Sequence, residues 1–318
     1  MAELFPFMDV AGAFEARFWQ AISHERGVVH ILHGMAEHSA RYEEVAEILA
    51  LRGFSVYAHN HPGHGAQAVD LLGHFGDERG WEFVLQRVAE VRAWIQGRHP
   101  KQPHIILGHS MGSFIALAYL ASKAEPLASL WLSGSTFPNL VEVWGGRLAA
   151  RFEAIRQGKC GKSWLLEKLS FSSYNNAFSP ARTPFDWLSR DPRAVDLYIA
   201  DPLCGFRCTN QLWVDLLDGL WDLFAKGGLS RLPSELPILL MSGSKDPVGG
   251  TKGVARLERG LKKAGLRMVQ AKLFADCRHE LFHELTRLEV FGFLQEQLEA
   301  CLLPRTGAMA SGETIARS

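Results

Sequence analysis

Ser110 sits in Gly108-His109-Ser110-Met111-Gly112, with glycine at the two positions where a sharp strand-to-helix turn needs small residues. The apolar run 104–107 precedes it, and 111–122, almost wholly apolar or small, follows. On such a turn the hydroxyl stands above a sheet edge, beside helix-terminal N–H groups that favour negative charge. That is a setting for nucleophilic attack on a carbonyl. The hydroxyl needs a base to take its proton, and the base needs an acid to orient it. Thirteen histidines compete for the first task. His279 is preferred, because it falls in a polar loop after the last strand-like run, 268–274. Asp246 follows the strand-like run 237–242 in Ser242-Gly243-Ser244-Lys245-Asp246-Pro247. Both lie just past the carboxyl end of a strand, where open parallel sheets gather their ligands. The rival acid is Asp276, three residues before His279 and too local to reach round the imidazole comfortably.

Attack on an ester also needs donors for the developing oxyanion, each worth roughly 3 kcal/mol. One candidate is the backbone N–H of Met111, next after the serine. The second is the N–H of Met35 in His33-Gly34-Met35-Ala36-Glu37-His38, where Gly34 lets the chain turn after the strand-like run 27–32. Two other patterns point elsewhere and fall short. His59-x-His61-x-x-His64 approaches a binuclear metal spacing, but Gly63 stands where an Asp is needed. Gly161-Lys162-Ser163 resembles a phosphate loop, yet Arg156 replaces the first glycine and a helical pattern, 148–156, precedes it. It reads as a solvated turn, and no metal or other cofactor is expected.

The elements that must position these residues follow from periodicity. Strand-like runs at 27–32, 55–59, 104–107 and 127–133 alternate with helical patterns at 41–51, 81–98 and 111–122. That alternation means βαβ units and a mostly parallel sheet, with 14–20 as an antiparallel edge strand. From 134 to 233 the rhythm is lost to helical patterns, aromatics and Pro-containing turns. It returns with strands at 237–242 and 268–274 and helices at 251–264 and 283–301. One α/β domain carrying a helical insertion of roughly 100 residues is the expected plan. Most insertion aromatics, among them Trp144, Trp164, Phe171, Trp187 and Trp213, should form its own core, and the rest an apolar passage above Ser110. The run 211–220 is amphipathic enough to touch a lipid surface. The tail, 304–318, is polar and reads as disordered.

Composition bounds the rest. The 318 residues carry 34 Lys plus Arg and 34 Asp plus Glu, so no positive field for nucleic acid exists. Five cysteines without a C-x-x-C spacing read as free thiols. With no basic, then apolar, start and no spanning apolar run, a cytoplasmic protein is expected.

The stretches HGMAEHSARY (33–42), HPGHG (61–65), GHSMGS (108–113), SGSKDPVG (242–249) and CRHE (277–280) closely resemble the monoacylglycerol lipase and lysophospholipase branch of the α/β-hydrolases, also grouped as serine-aminopeptidase-like hydrolases. The resemblance spans residues 10–303 in the family's order. It implies an α/β-hydrolase fold with a core of 1–133 and 236–303 and a lid at 134–235. It also implies a Ser110–Asp246–His279 triad with an elbow of Gly108, His109 and Gly112. The oxyanion hole would be Met35 and Met111, supported by His33 and Gly34. The substrate would be a small-molecule ester with an acyl chain, met with transient lipid-surface contact through the lid. A short-chain esterase, thioesterase or peptidase would use the same machinery, and a non-catalytic relative would use only the pocket. One departure is Ala58-His59-Asn60-His61, where such sequences often have an Asp before the loop.

Overall fold

The computed structural model describes residues 2–9, 12–169 and 174–302. Phe171 and the tail 304–318 lie outside the described residues. In chain order the principal elements begin β1 (Glu3–Asp9), β2 (Gly12–Trp19), β3 (Gly27–Leu32), α1 (Glu43–Leu51), β4 (Phe54–His59) and α2 (Gly80–Arg98). There follow β5 (His104–His109), α3 (Met111–Ser122), β6 (Ser129–Ser133), α4 (Leu140–Gln157), α5 (Trp164–Leu169), α6 (Pro192–Ala200) and α7 (Asn210–Phe224). The chain closes with β7 (Ile238–Gly243), α8 (Gly250–Lys263), β8 (Val269–Phe274) and α9 (Arg287–Leu302).

The eight strands make one sheet in the order β1-β2-β4-β3-β5-β6-β7-β8. Six are mutually parallel, from β4 to β8, and β2 joins β4 antiparallel. The expected edge strand at 14–20 is therefore second from the edge, because β1 pairs along its outer side. Strand β1, which contains Pro6, carries Phe5 and Phe7 onto Trp94 of α2. Strands β3 to β7 are buried on both faces, and alternate residues serve opposite cores. Ile106, Leu130, Leu132 and Leu240 face α2, α3, α7 and α8. Ile105, Leu107, Trp131 and Met241 face α1 and α9. That is why these strands read as continuous apolar runs.

The helical insertion between β6 and β7 comprises α4 to α7. Its helices start at local signals. Asn139 accepts a hydrogen bond from the Val141 amide, Asp191 precedes Pro192 and accepts from Arg193, and Thr209 accepts from Leu212. Helix α7 turns Leu212, Trp213, Leu216, Leu220 and Leu223 into the main core. The run 211–220 therefore does not present its apolar face to a lipid surface. Helix α4 does expose one: Val141, Trp144, Leu148, Phe152 and Ile155 recur at three- and four-residue spacing and are at least half exposed. Arg147 and Arg151, flanking that face, pair with Asp218 of α7. Among the described residues no helix is long and apolar enough to cross a membrane, and all five cysteines are free thiols.

Candidate active site

The strand order reverses between β3 and β5, and the loops leaving their carboxyl ends meet there. Ser110 occupies that turn with φ 50° and ψ −117°, a left-handed-side φ that a non-glycine residue adopts only under constraint. Its amide donates to the Ser133 carbonyl at 2.8 Å, which anchors the turn to β6. The flanking glycines are required by close approach. A Cβ on Gly108 would stand 2.6 Å from the Gly112 carbonyl oxygen, and one on Gly112 would overlap the Leu32 carbonyl. Helix α3 thereby starts hard against the end of β3. Met111 is its first residue, and the first N–H groups of a helix have no intrahelical acceptor.

The loop after β3 curls beside this helix start. Gly34 N–H donates to Glu37 Oε1 at 2.5 Å and Ala36 N–H to His64 Nε2 at 3.3 Å, holding the chain on either side of Met35. His33 lies beneath: Nδ1 bonds the Gly34 carbonyl at 2.7 Å and Nε2 accepts from the His61 amide at 3.0 Å. His59, His61 and His64, weighed above as metal ligands, thus belong to this support. His59 Nδ1 pairs with His30 Nε2, His61 with the His33 carbonyl, and His64 Nδ1 with the Pro62 carbonyl.

His279 is buried, and its Nδ1 lies 2.9 Å from Asp246 Oδ1. The same carboxylate accepts from the Val248 amide at 2.8 Å and from Ser242 Oγ at 2.9 Å. Burial alone would raise the Asp246 pKa. The His279 charge and these hydrogen bonds outweigh it and hold the group below the usual carboxylate value. Burial likewise disfavours the His279 cation, yet Asp246 raises its pKa above the ordinary 6.5. Asp276 is exposed in the loop after β8, where its amide bonds Ser244 Oγ. The His279 ring lies 4.8 Å from that of His109, beside Ser110, and 5.0 Å from that of Trp187.

Sequence reasoning did not single out the group that joins these loops. Arg41 donates to Glu37 Oε2 at 2.7 Å and to both oxygens of Glu280 at 2.6 and 2.7 Å. One guanidinium therefore ties the Met35 loop to the residue after His279. Tyr198 of α6 lies over that guanidinium and donates to the Ala36 carbonyl at 2.9 Å. Glu37 and Arg41 were visible within the 33–42 stretch, but nothing local marked Glu280 or Tyr198 as their partners. The Gly161-Lys162-Ser163 turn also differs from expectation in one respect: Ser163 is buried, and its hydroxyl accepts from the Leu165 amide at the start of α5.

Ser110, Met35 and Met111 open into a cleft of about 380 Å³ beneath α4 and α7. Phe114, Val143, Trp213, Leu216 and Leu220 make it apolar, while Asn139, Glu142 and Arg256 add polar atoms. This arrangement suits attack on the carbonyl of an amphiphilic ester, with one part dry and another wet.

Known proteins match this chain in sequence and in fold. A family model described as Serine aminopeptidase, S33 matches residues 23–286. A monoacylglycerol lipase of Mycolicibacterium smegmatis is 28% identical over 269 residues, covering 84% of this chain and 85% of its own. The monoglyceride lipase of Homo sapiens is 28% identical over 271 residues, covering 85% and 80%. A thermostable carboxyl esterase of Bacillus coagulans, solved with glycerol, has a TM-score of 0.85 at 27% identity, covering 95% of this chain and 99% of that one. Fold, matched span and relatives together lead to one conclusion: the chain belongs to the serine aminopeptidase S33 family of α/β-hydrolases, with esterases and lipases among its relatives.

Proposed function

We propose that this serine hydrolase cleaves carboxylic esters of lipid-like substrates, of the monoacylglycerol or lysophospholipid class, through an acyl-enzyme. Ser110 attacks the carbonyl and His279 takes its proton. Asp246 fixes the imidazole tautomer with Nδ1 protonated, so that Nε2 is the accepting nitrogen. The Met35 and Met111 amides hold the oxyanion, and water then releases the acyl group. The observation that carries this reading is the buried His279–Asp246 pair at 2.9 Å beside a strained Ser110 that opens into an apolar cleft. The segment 134–235 acts as the lid over a core of 1–133 and 236–303. The exposed apolar face of α4 is its contact with a lipid surface, and the apolar cleft wall takes the acyl chain.

Two measurements test the proposal. A fluorophosphonate probe should label the protein, and Ser110→Ala and His279→Ala should abolish ester hydrolysis with unchanged circular dichroism. Across a series of acyl esters each added methylene should contribute up to about 0.8 kcal/mol, close to fourfold in kcat/KM, until the cleft is filled. An acetyl ester cleaved faster than its octanoyl analogue would replace the lipid reading with a short-chain esterase.

A further inference from the structure

On the side of the insertion where α4 ends, His74, Asp77 and Cys160 converge. The ligating atoms of all three lie within 4.8 Å of one another, and His74 Nε2 is 3.3 Å from Asp77 Oδ1. A tetrahedral zinc centre with bonds of about 2.0–2.3 Å spaces its ligand atoms about 3.3–3.8 Å apart. The His–Asp pair already has that spacing. Cys160 lies on an exposed turn between Gly158 and Gly161, so closing the remaining gap needs only a small movement.

The orientation of His74 is the second observation. The ring is buried, with Nδ1 3.1 Å from Thr209 Oγ1. Thr209 Oγ1 also lies 2.9 Å from the Gly73 carbonyl, so the ring is anchored through Nδ1 from the core side. Nε2 is left as the nitrogen that faces Asp77. An outer hydrogen bond that orients a histidine in this way is the usual support of a metal-ligating imidazole. The contrasting cluster is His38, Asp201 and Cys204. There His38 Nε2 and Asp201 Oδ2 meet at a hydrogen-bonding 2.8 Å, and the Arg41 charge bears on the thiol and opposes a cation.

We propose that His74, Asp77 and Cys160 bind a single thiophilic divalent cation, with Zn²⁺ the best match to one nitrogen, one oxygen and one sulfur ligand. A water completes the fourth position, and the Cys160 thiol releases its proton to solvent as the metal binds. The site lies apart from Ser110 and takes no part in ester cleavage. It fastens the loop after α4 to the loop after Gly73, alongside the bond from Lys159 Nζ to the Asp77 carbonyl at 2.7 Å. Bound metal would hold the carboxyl end of α4 on the core.

The test uses the full chain, stripped with chelator and kept reduced. Calorimetric titration with Zn²⁺ should show one equivalent bound. Cys160→Ser and Asp77→Asn, both at exposed positions where folding is not at risk, should each weaken it by at least about 10-fold. Cd²⁺ should give a thiolate charge-transfer absorption that Cys160→Ser removes, and Zn²⁺ should slow amide exchange across 158–163. No stoichiometric uptake, or uptake unchanged in Cys160→Ser, overturns the proposal and leaves His74 and Asp77 as a plain hydrogen-bonded pair. Loss of uptake in Cys204→Ser alone would place the metal under the Met35 loop and equally defeats it.

Discussion

At the scale of single residues, the acid is the sharpest assignment. Asp246 reaches His279 from 33 positions away, whereas Asp276, three positions away, is exposed on the loop. Asp246→Asn leaves a side chain that can donate to Nδ1 and so favours the wrong tautomer. It should cost about 10⁴ in kcat, while Asp276→Asn should cost little. Steady-state rates of the two variants decide the matter, and a larger loss in the second would reverse the assignment. The same pair governs pH dependence. His279 must be neutral to accept a proton, and Asp246 raises its pKa above 6.5. The acid limb of kcat/KM should therefore have its midpoint above 6.5, and the residual activity of Asp246→Asn should have it at lower pH. A wild-type midpoint below 6 would mean that burial, and not Asp246, controls the imidazole.

At the scale of elements, the insertion divides by what its faces touch. The segment before α6 is tied to the loop that carries His279. The His279 and Glu280 amides bond the carbonyls of Trp187 and Leu188, and Arg190 pairs with Glu284. Helix α7 belongs to the main core. Helix α4 instead leaves Trp144 and Phe152 53% and 61% exposed, and Trp164 of α5 is 61% exposed, a patch that water does not favour. Trp144→Ser combined with Phe152→Ser should therefore weaken sedimentation with phospholipid vesicles. Hydrolysis of a monomeric, water-soluble ester should be left within about twofold, because neither side chain lines the cleft. Equal vesicle binding by the double variant would remove α4 as the contact surface.

At the scale of the whole molecule, the buried imidazoles make acid the weak side of stability. Burial first, then neighbouring charges, lowers the pKa of His59 to about 3 and of His64, His109 and His283 to about 4. His30, His33 and His61 are held well below 6.5 for the same reason. Between those values and 6.5 the unfolded chain binds more protons than the native one, so stability falls as pH drops through that window. Each such histidine contributes up to about 1.4 kcal/mol per pH unit. His279 and Asp215, whose pKa values are raised, act in the opposite sense but are outnumbered. Urea midpoints should fall steeply from pH 7 to pH 5, and a flat profile would contradict the buried, neutral state of this cluster.

Read as sequence, the chain already determined whatever depends on neighbours along it. The strand–helix alternation, the glycine-flanked turn at Ser110 and the two loops carrying Asp246 and His279 follow from periodicity and small residues. Backbone geometry dictates these within a few positions. Tertiary structure alone decided what meets across the sheet. Arg41, already paired with Glu37 four residues before it, reaches Glu280 across 239 positions, β1 covers the outer side of β2, and His74 meets Cys160. It also decided that α7 is buried while α4 faces water. A three- and four-residue repeat shows that a helix has an apolar face, but not what covers it, because that depends on shapes supplied by other parts of the chain.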